Sequence, residues 1–77
     1  MSRVKSKSVI PRVFLVKGRD NVYDCIQVLL ENKSLIVNVS SLEVKDKLRV
    51  IDFLSGYIFA LKGTREKLED NIYVFSL

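Results

Sequence analysis

Four short apolar runs along the chain have the length and composition of β-strands. Each is rich in β-branched or aromatic residues, which is typical of strands rather than of helices. In chain order the runs are RVFLVK, LIVNV, YIFAL and IYVFSL, which begin at residues 12, 35, 57 and 72. A further short edge strand is predicted at residues 66–68, because Asp70 and Asn71 then supply a hairpin turn before the last run.

Two segments between these runs have apolar residues at helical spacing. The first begins at Asp20, whose carboxylate can cap free backbone N–H groups, and continues to about Glu31. The second extends from about Ser41 to Ser55, after a capping-box sequence formed by Ser40 and Glu43. Gly56 is expected to end this helix, since a residue without Cβ adopts the left-handed conformation easily.

The predicted order is βαβαβββ, an α/β sandwich with a mixed sheet of about five strands. Two consecutive right-handed crossovers that advance in one direction place both helices on one face of the sheet. The strands nevertheless have apolar residues on both faces, so we expect a second copy to cover the open face in a two-fold dimer. The predicted dimer interface consists of Phe14, Val16, Ile58, Ala60, Tyr73 and Phe75. The alternative is a monomer with one helix on each face.

The second helix has apolar residues on two sides. Its wider stripe, which we expect to face the sheet, contains Val44, Leu48, Ile51 and Leu54. Leu42 and Phe53 point almost the opposite way, with Val50 at the border and charged residues around them. An aromatic residue with a polar rim is typical of a partner-binding surface. In the alternative interpretation, Phe53 packs beneath Tyr57 or the first helix.

Charge is distributed unevenly along the chain. The net charge is +4, yet four basic residues and no acidic residue precede residue 13, which leaves the rest of the chain with equal numbers of both. A neutral body argues against a nucleic-acid-binding protein, and the basic segment suits weak attraction to an anionic surface or simply solubility. The chain is 48% hydrophobic, but no apolar run reaches the ~18 residues that a membrane span needs. Without a secretory signal at the start, a cytoplasmic location is expected.

Residues for catalysis or metal binding are scarce. The chain has no histidine and one cysteine, Cys25, so neither a Cys/His pair nor an ordinary zinc site can be built. No glycine-rich phosphate loop follows the first strand. We therefore predict no catalytic residues, no metal, no cofactor and no enzymatic activity.

Several motifs occur together at a specific spacing. RVIDFLSG at residues 49–56 is preceded by LIVNV, which contains Asn38, and followed by YIFALKG, which contains Ala60 and Gly63. In this combination the chain resembles the SepF family of prokaryotic cell-division proteins over about residues 12–76. The resemblance implies a single core domain at residues 12–77 after a basic, flexible tail at residues 1–11. Lys62 stands where the family usually has a second glycine, and the compact form looks more like archaeal than bacterial members.

The resemblance implies a non-enzymatic adaptor. Such a protein forms homodimers and higher polymers, binds the C-terminal tail of the division protein FtsZ, and tethers FtsZ filaments to the inner face of the cell membrane at the division site. Tethering uses an N-terminal amphipathic helix, for which this chain is expected to have no room before the core. The outer side of the second helix offers a surface for the FtsZ tail, and the expected contact residues are Leu42, Lys45, Asp46, Arg49, Val50, Phe53 and Gly56.

Two other classes of function fit a small dimeric domain. A regulatory domain that senses a small molecule would show a higher melting temperature with its ligand. A nucleic-acid-binding module is less expected, and its binding would depend steeply on salt.

Overall fold

The computed structural model describes residues 13–77, so the predicted basic tail at residues 1–11 lies outside the described residues. Two helices and four strands follow one another as β1 (Val13–Leu15), α1 (Asn21–Asn32), β2 (Ser34–Asn38), α2 (Val44–Ala60), β3 (Thr64–Glu69) and β4 (Ile72–Ser76). The strands form one mixed sheet in the order β1-β2-β4-β3, in which β1 is parallel to β2 and the other pairs are antiparallel. The predicted fold class is confirmed, with one strand fewer than expected.

Both helices cover the same face of the sheet, as predicted. Along β2 and β4 every second side chain is buried, and the register pairs Leu35 with Phe75 and Val37 with Tyr73. These four residues join the buried residues of both helices in one core cluster. The opposite face, which we call the open face, carries Val13, Leu15, Ile36, Ile72 and Val74, none of which is fully buried.

The prediction of a strand at residues 57–61 was wrong, because α2 continues through this segment. Gly56 lies inside the helix and does not have a positive φ, so it does not end the helix. Ile58 extends the buried stripe formed by Ile51 and Leu54, and all three contribute to the core. Side chains at this spacing stabilise a helix by tertiary packing, which outweighs the local preference of a short aromatic run for a strand.

Helix α2 ends in a Schellman motif built around Lys62. The N–H of Lys62 donates to the carbonyl of Phe59 at 3.0 Å, and the N–H of Gly63 donates to the carbonyl of Ile58 at 2.8 Å. Lys62 itself has a φ of 63°, the left-handed conformation that glycine adopts at this position in many helices. The left-handed conformation explains why the family resemblance leads us to expect a glycine at this position. In this chain a lysine adopts the same conformation.

The beginnings of the helices differ from the predictions. Helix α2 starts at Val44 with Glu43 as its N-cap, and no side chain caps it, so the predicted capping box at Ser40 is not formed. The N–H of Ser40 donates instead to Oδ1 of Asn38 at 2.9 Å. Asp20 is the N-cap of α1 as predicted, but its carboxylate makes no capping hydrogen bond.

The predicted sheet-facing stripe of α2 is only half correct. Ile51 and Leu54 are buried, whereas Val44 is 71% exposed and Leu48 is 57% exposed. Both exposed residues lie in the first two turns of α2, where the rest of the described chain does not cover them. The core side of α2 is displaced toward its C-terminal half and includes Ile58, which lies in the segment that the prediction had assigned to a strand.

Candidate functional site

A groove of about 380 Å³ lies between the outer surfaces of α1 and α2. We call it the α1–α2 groove, and its lining residues are Arg19, Val22, Tyr23, Arg49, Val50, Asp52 and Phe53. Val22 and Val50 are buried and form its floor, while the other five are exposed and form its walls. The groove therefore combines an apolar base with two aromatic rings and three charged groups.

Phe53 is the main aromatic residue that α2 contributes. It is 47% exposed and lines the groove beside residues of α1, so its ring is not covered by Tyr57 or the first helix as the alternative interpretation expected. Tyr23 of α1 lines the same groove and is more exposed. Two rings on adjacent helices provide apolar contact area that loses little conformational entropy when a ligand binds.

Charged residues surround these two rings. The guanidinium of Arg19 lies 3.6 Å from the carboxylate of Asp46, an ion pair that joins the loop before α1 to α2. Arg49 and Asp52 also line the groove, and neither makes an ion pair with another residue between 13 and 77. The groove thus presents one cationic and one anionic group that can bind complementary charges of a ligand.

The structure brings together only part of the predicted FtsZ-binding set. Arg49, Val50 and Phe53 lie in the groove, and Asp46 reaches it through the ion pair with Arg19. Val50 is only 1% exposed, so its contribution is to the floor. The other predicted members, Leu42, Lys45 and Gly56, do not line the groove, and Leu42 is half-buried against the core.

Sequence reasoning missed Arg19, Tyr23 and Asp52, which also line the groove. Helical spacing could have placed Tyr23 on the outer side of α1, since it lies between the buried residues Val22 and Cys25. Spacing on one helix does not show which residue of another helix lies beside it. The pairing of Tyr23 with Phe53 therefore required the packing of α1 against α2.

The predicted dimer-interface residues lie elsewhere than expected. Val16, Ile58, Tyr73 and Phe75 belong to the core beneath the helices, and Phe14 packs against that core. Ala60 is exposed at the last position of α2 rather than in a strand. Most of the predicted set is therefore covered by the chain's own helices, because alternation along a strand shows which residues share a face and not which face the helices cover.

Cys25 is a packing residue of α1. Its side chain is fully buried in the core. Burial raises the pKa of the Cys25 thiol to about 11, and the nearby carboxylate of Asp24 adds to the rise. A thiol that stays protonated at neutral pH is a poor nucleophile. Among residues 13–77, no group of His, Cys, Asp or Glu side chains has a geometry that would bind a metal ion.

The described part of the chain does not include a helix with the length and apolar character needed to cross a bilayer. The longest helix, α2, has 17 residues and carries charged residues in its first half.

Comparisons with known proteins all point to the same family. Residues 12–76 match the family model described as Cell division protein SepF. Three relatives with that same name come from Clostridium tetani, Lactobacillus helveticus and Synechocystis. The first is 40% identical over 68 residues, covering 86% of this chain and 44% of the relative. The second is 33% identical over 76 residues, which cover 96% of this chain and 49% of the relative. The third is 32% identical over 57 residues, which cover 74% of this chain and 31% of the relative.

The chain therefore spans about half the length, or less, of these curated relatives. The matched region includes every helix and strand described above, together with all seven residues of the α1–α2 groove. Because the family model covers nearly all of the described residues, this chain belongs to the SepF family of cell division proteins.

Proposed function

We propose that this chain is a non-enzymatic adaptor of the division machinery that binds the C-terminal tail of FtsZ in the α1–α2 groove. Membership of a cell-division family supports a role in division, and the groove supports binding of a peptide as the way in which the protein acts. The observation that carries the proposal is the exposed ring of Phe53 in the same groove as Arg49, which forms no ion pair with another residue between 13 and 77.

The chemistry of the groove suits a short peptide. An apolar side chain of the peptide fits between Phe53 and Tyr23, while an acidic and a basic residue of the peptide meet Arg49 and Asp52. A tail that becomes ordered on binding loses conformational entropy, so the affinity of one groove is expected to be modest. An FtsZ filament displays many tails, and a dimeric adaptor would gain avidity by binding two of them.

Dimer formation is the second part of the proposal, and we assign it to the open face. Val13, Leu15, Ile36 and Val74 form an apolar surface on this face, and side chains of a second copy would remove that surface from water. A two-fold axis across the open face leaves both α1–α2 grooves on the outside of the dimer. Each copy could then bind its own FtsZ tail.

The place of action follows from these partners. We propose that the protein works in the cytoplasm at the inner face of the membrane at the division site, where it links FtsZ filaments to the bilayer. The basic residues before residue 13 suit attraction to anionic lipids. A helix that inserts into the membrane would be contributed by sequence outside the described residues. We propose neither a nucleic acid nor a cofactor as a partner.

The test is a calorimetric titration of the FtsZ C-terminal peptide into variants of this chain. Phe53→Ala is expected to weaken binding by about 2 kcal/mol or more, as for a central aromatic contact. Because Phe53 is half-exposed, its loss should lower the free energy of unfolding by far less than the ~3 to 5 kcal/mol typical of a core phenylalanine. Arg49→Ala is expected to weaken binding less and to reduce its dependence on salt.

Phe59→Ala is a matched control. Phe59 belongs to the same helix, is 56% exposed and does not line the groove, so its removal should leave peptide affinity unchanged. Ile51→Ala is a second control that destabilises the core without altering the affinity of the folded protein. Loss of binding with Phe59→Ala but not with Phe53→Ala would show that the FtsZ tail binds at the end of α2, outside the groove.

A further inference from the structure

The two edges of the sheet differ in how well they are protected from another strand. Strand β3, at one edge, has charged residues at four of its six positions and a bulge between Lys67 and Glu69. Charges and bulges are the usual protection of an edge against unwanted pairing. Strand β1, at the other edge, consists of Val13, Phe14 and Leu15 and pairs with β2 without a register shift. Its sequence therefore lacks the protection that β3 has.

The backbone of β1 has hydrogen-bonding groups directed away from the sheet. The N–H of Val16 donates to the carbonyl of Asn38 at 2.9 Å, which continues the parallel ladder with β2. In such a ladder the N–H and C=O of one residue point to the same side, and alternate residues point to opposite sides. Phe14 therefore bonds to β2 like Val16, while the N–H and C=O of Val13 and Leu15 are directed outward. No other strand between residues 13 and 77 lies on that side.

An apolar groove of about 290 Å³ adjoins this edge. Val13, Phe14 and Leu15 line one side and Val28 of α1 lines the other, and we call it the β1 groove. It lies at β1 rather than beside α2, so it shares no lining residue with the α1–α2 groove. A chain extended along β1 could pair with the outward backbone groups and place every second side chain against Val28.

Two acidic residues of α1 lie on the same side of the helix as Val28, which lines the β1 groove. Asp24 and Glu31 are four residues before and three residues after Val28, so helical geometry places all three on one side of α1. Both acidic residues are exposed, and neither forms an ion pair with a residue of the described chain. The side of α1 that contributes Val28 to the β1 groove therefore carries two negative charges, which we call the acidic rim.

We propose that β1 binds an extended segment of another protein by strand addition, and that this segment has apolar residues at alternate positions and a basic residue at each end. The outward backbone groups supply affinity, the β1 groove selects apolar side chains, and Asp24 and Glu31 select the basic ends. A second copy of this chain fits this edge less well. Pairing β1 with its copy about a two-fold axis would bring two α1 helices to the same face of one sheet, with their acidic rims opposed.

The test uses the whole 77-residue chain, labelled with ¹⁵N, and the capped synthetic peptide KVTVTVK. Binding is expected to shift the amide resonances of Val13, Leu15 and Val28 and to slow hydrogen exchange at Val13 and Leu15. The peptide EVTVTVE should bind about three- to tenfold more weakly, because each rim contact changes from attraction to repulsion at a solvent-exposed site. KVTPTVK should bind more weakly still, since proline removes a donor from the added strand.

A charge-reversed variant separates the rim from non-specific attraction. In the double variant Asp24→Lys with Glu31→Lys, the preference should invert so that EVTVTVE binds more tightly than KVTVTVK. Glu43→Lys with Glu69→Lys changes the net charge by a similar amount at exposed sites away from the β1 groove, and should leave the original preference intact. Both variants are compared only when their melting temperatures show that they are folded.

Three results would overturn the proposal. The first is no peptide binding by the whole chain, and the second is resonance shifts confined to residues of the α1–α2 groove. The third is equal affinity for the Lys-ended and Glu-ended peptides. FtsZ-tail binding is measured separately through Phe53, so failure of strand addition at β1 would leave that proposal unaffected.

Discussion

At the scale of single residues, Gly63 is the described glycine with the least room for a side chain. A Cβ placed on Gly63 would overlap the backbone carbonyl oxygen of Ser76 and lie 2.7 Å from Cδ1 of Ile58. Because one of these neighbours is backbone within the sheet, the overlap cannot be relieved by a side-chain rotation. Gly63→Ala is expected to lower the free energy of unfolding by about 2 to 4 kcal/mol, measured by urea denaturation.

Gly56→Ala is the matched control for this prediction. Gly56 lies inside α2, and a Cβ there would meet no atom within 4 Å. Alanine is the better helix former, so this substitution should raise the free energy of unfolding by up to about 1 kcal/mol. Equal destabilisation by both substitutions would contradict the assignment of Gly63 to a close backbone approach.

Replacing Lys62 by glycine is expected to stabilise the fold, in contrast to Gly63→Ala. Its left-handed conformation at the end of α2 costs a residue with a Cβ about 1 kcal/mol relative to glycine. Lys62→Gly is therefore expected to raise the free energy of unfolding by about 0.5 to 1 kcal/mol, after the greater flexibility of glycine in the unfolded chain is taken into account. Thermal unfolding of the variant measures this change, and a lower melting temperature would contradict it. Lys62→Ala, which keeps the Cβ, should give no such gain.

At the scale of elements, the sequence identified most of the fold and failed at the middle of α2. β1, α1, β2 and β4 occur where apolar runs and spacing predicted them, and β3 includes the short edge strand predicted at residues 66–68. The failure came from treating Gly56 as a helix end and the five residues after it as a strand. The segment Tyr57–Leu61 satisfies both interpretations locally, because its apolar residues are continuous. The core decides between them, since Ile58 completes a buried stripe that only a continuous helix can form.

The candidate site was predictable to the same extent as α2 itself. Spacing on one helix placed Phe53 and Arg49 on its outer side, and both line the groove. The same spacing put Val44 and Leu48 toward the sheet, although both side chains are exposed in the structure. Tyr23 and Arg19 come from α1 and the loop before it, and no local pattern relates these residues to Phe53. A site between two elements becomes visible only when their packing is known.

At the scale of the whole molecule, the open face determines how the chain associates. The helices bury the middle of one face of the sheet, formed by β2 and β4, and the described residues of this 77-residue chain include no further element to cover the other face. We expect a dimer, so sedimentation equilibrium at micromolar concentration should give about twice 8.9 kDa. Val74 lies near the centre of the open face, where it pairs with Ile36 and Glu66.

Val74→Lys tests where the dimer interface lies. A lysine at the centre of the open face would place a charge against the same charge of the second copy, so this variant is expected to sediment as a folded monomer. Val44→Lys is the control, because Val44 is an equally sized and more exposed apolar residue on α2, away from the open face. A monomer with Val44→Lys and a dimer with Val74→Lys would instead place the interface on the helices. Since β4 is an inner strand, pairing of two copies through the β1 edge would also survive Val74→Lys, and Leu15→Lys would then be needed to dissociate the dimer.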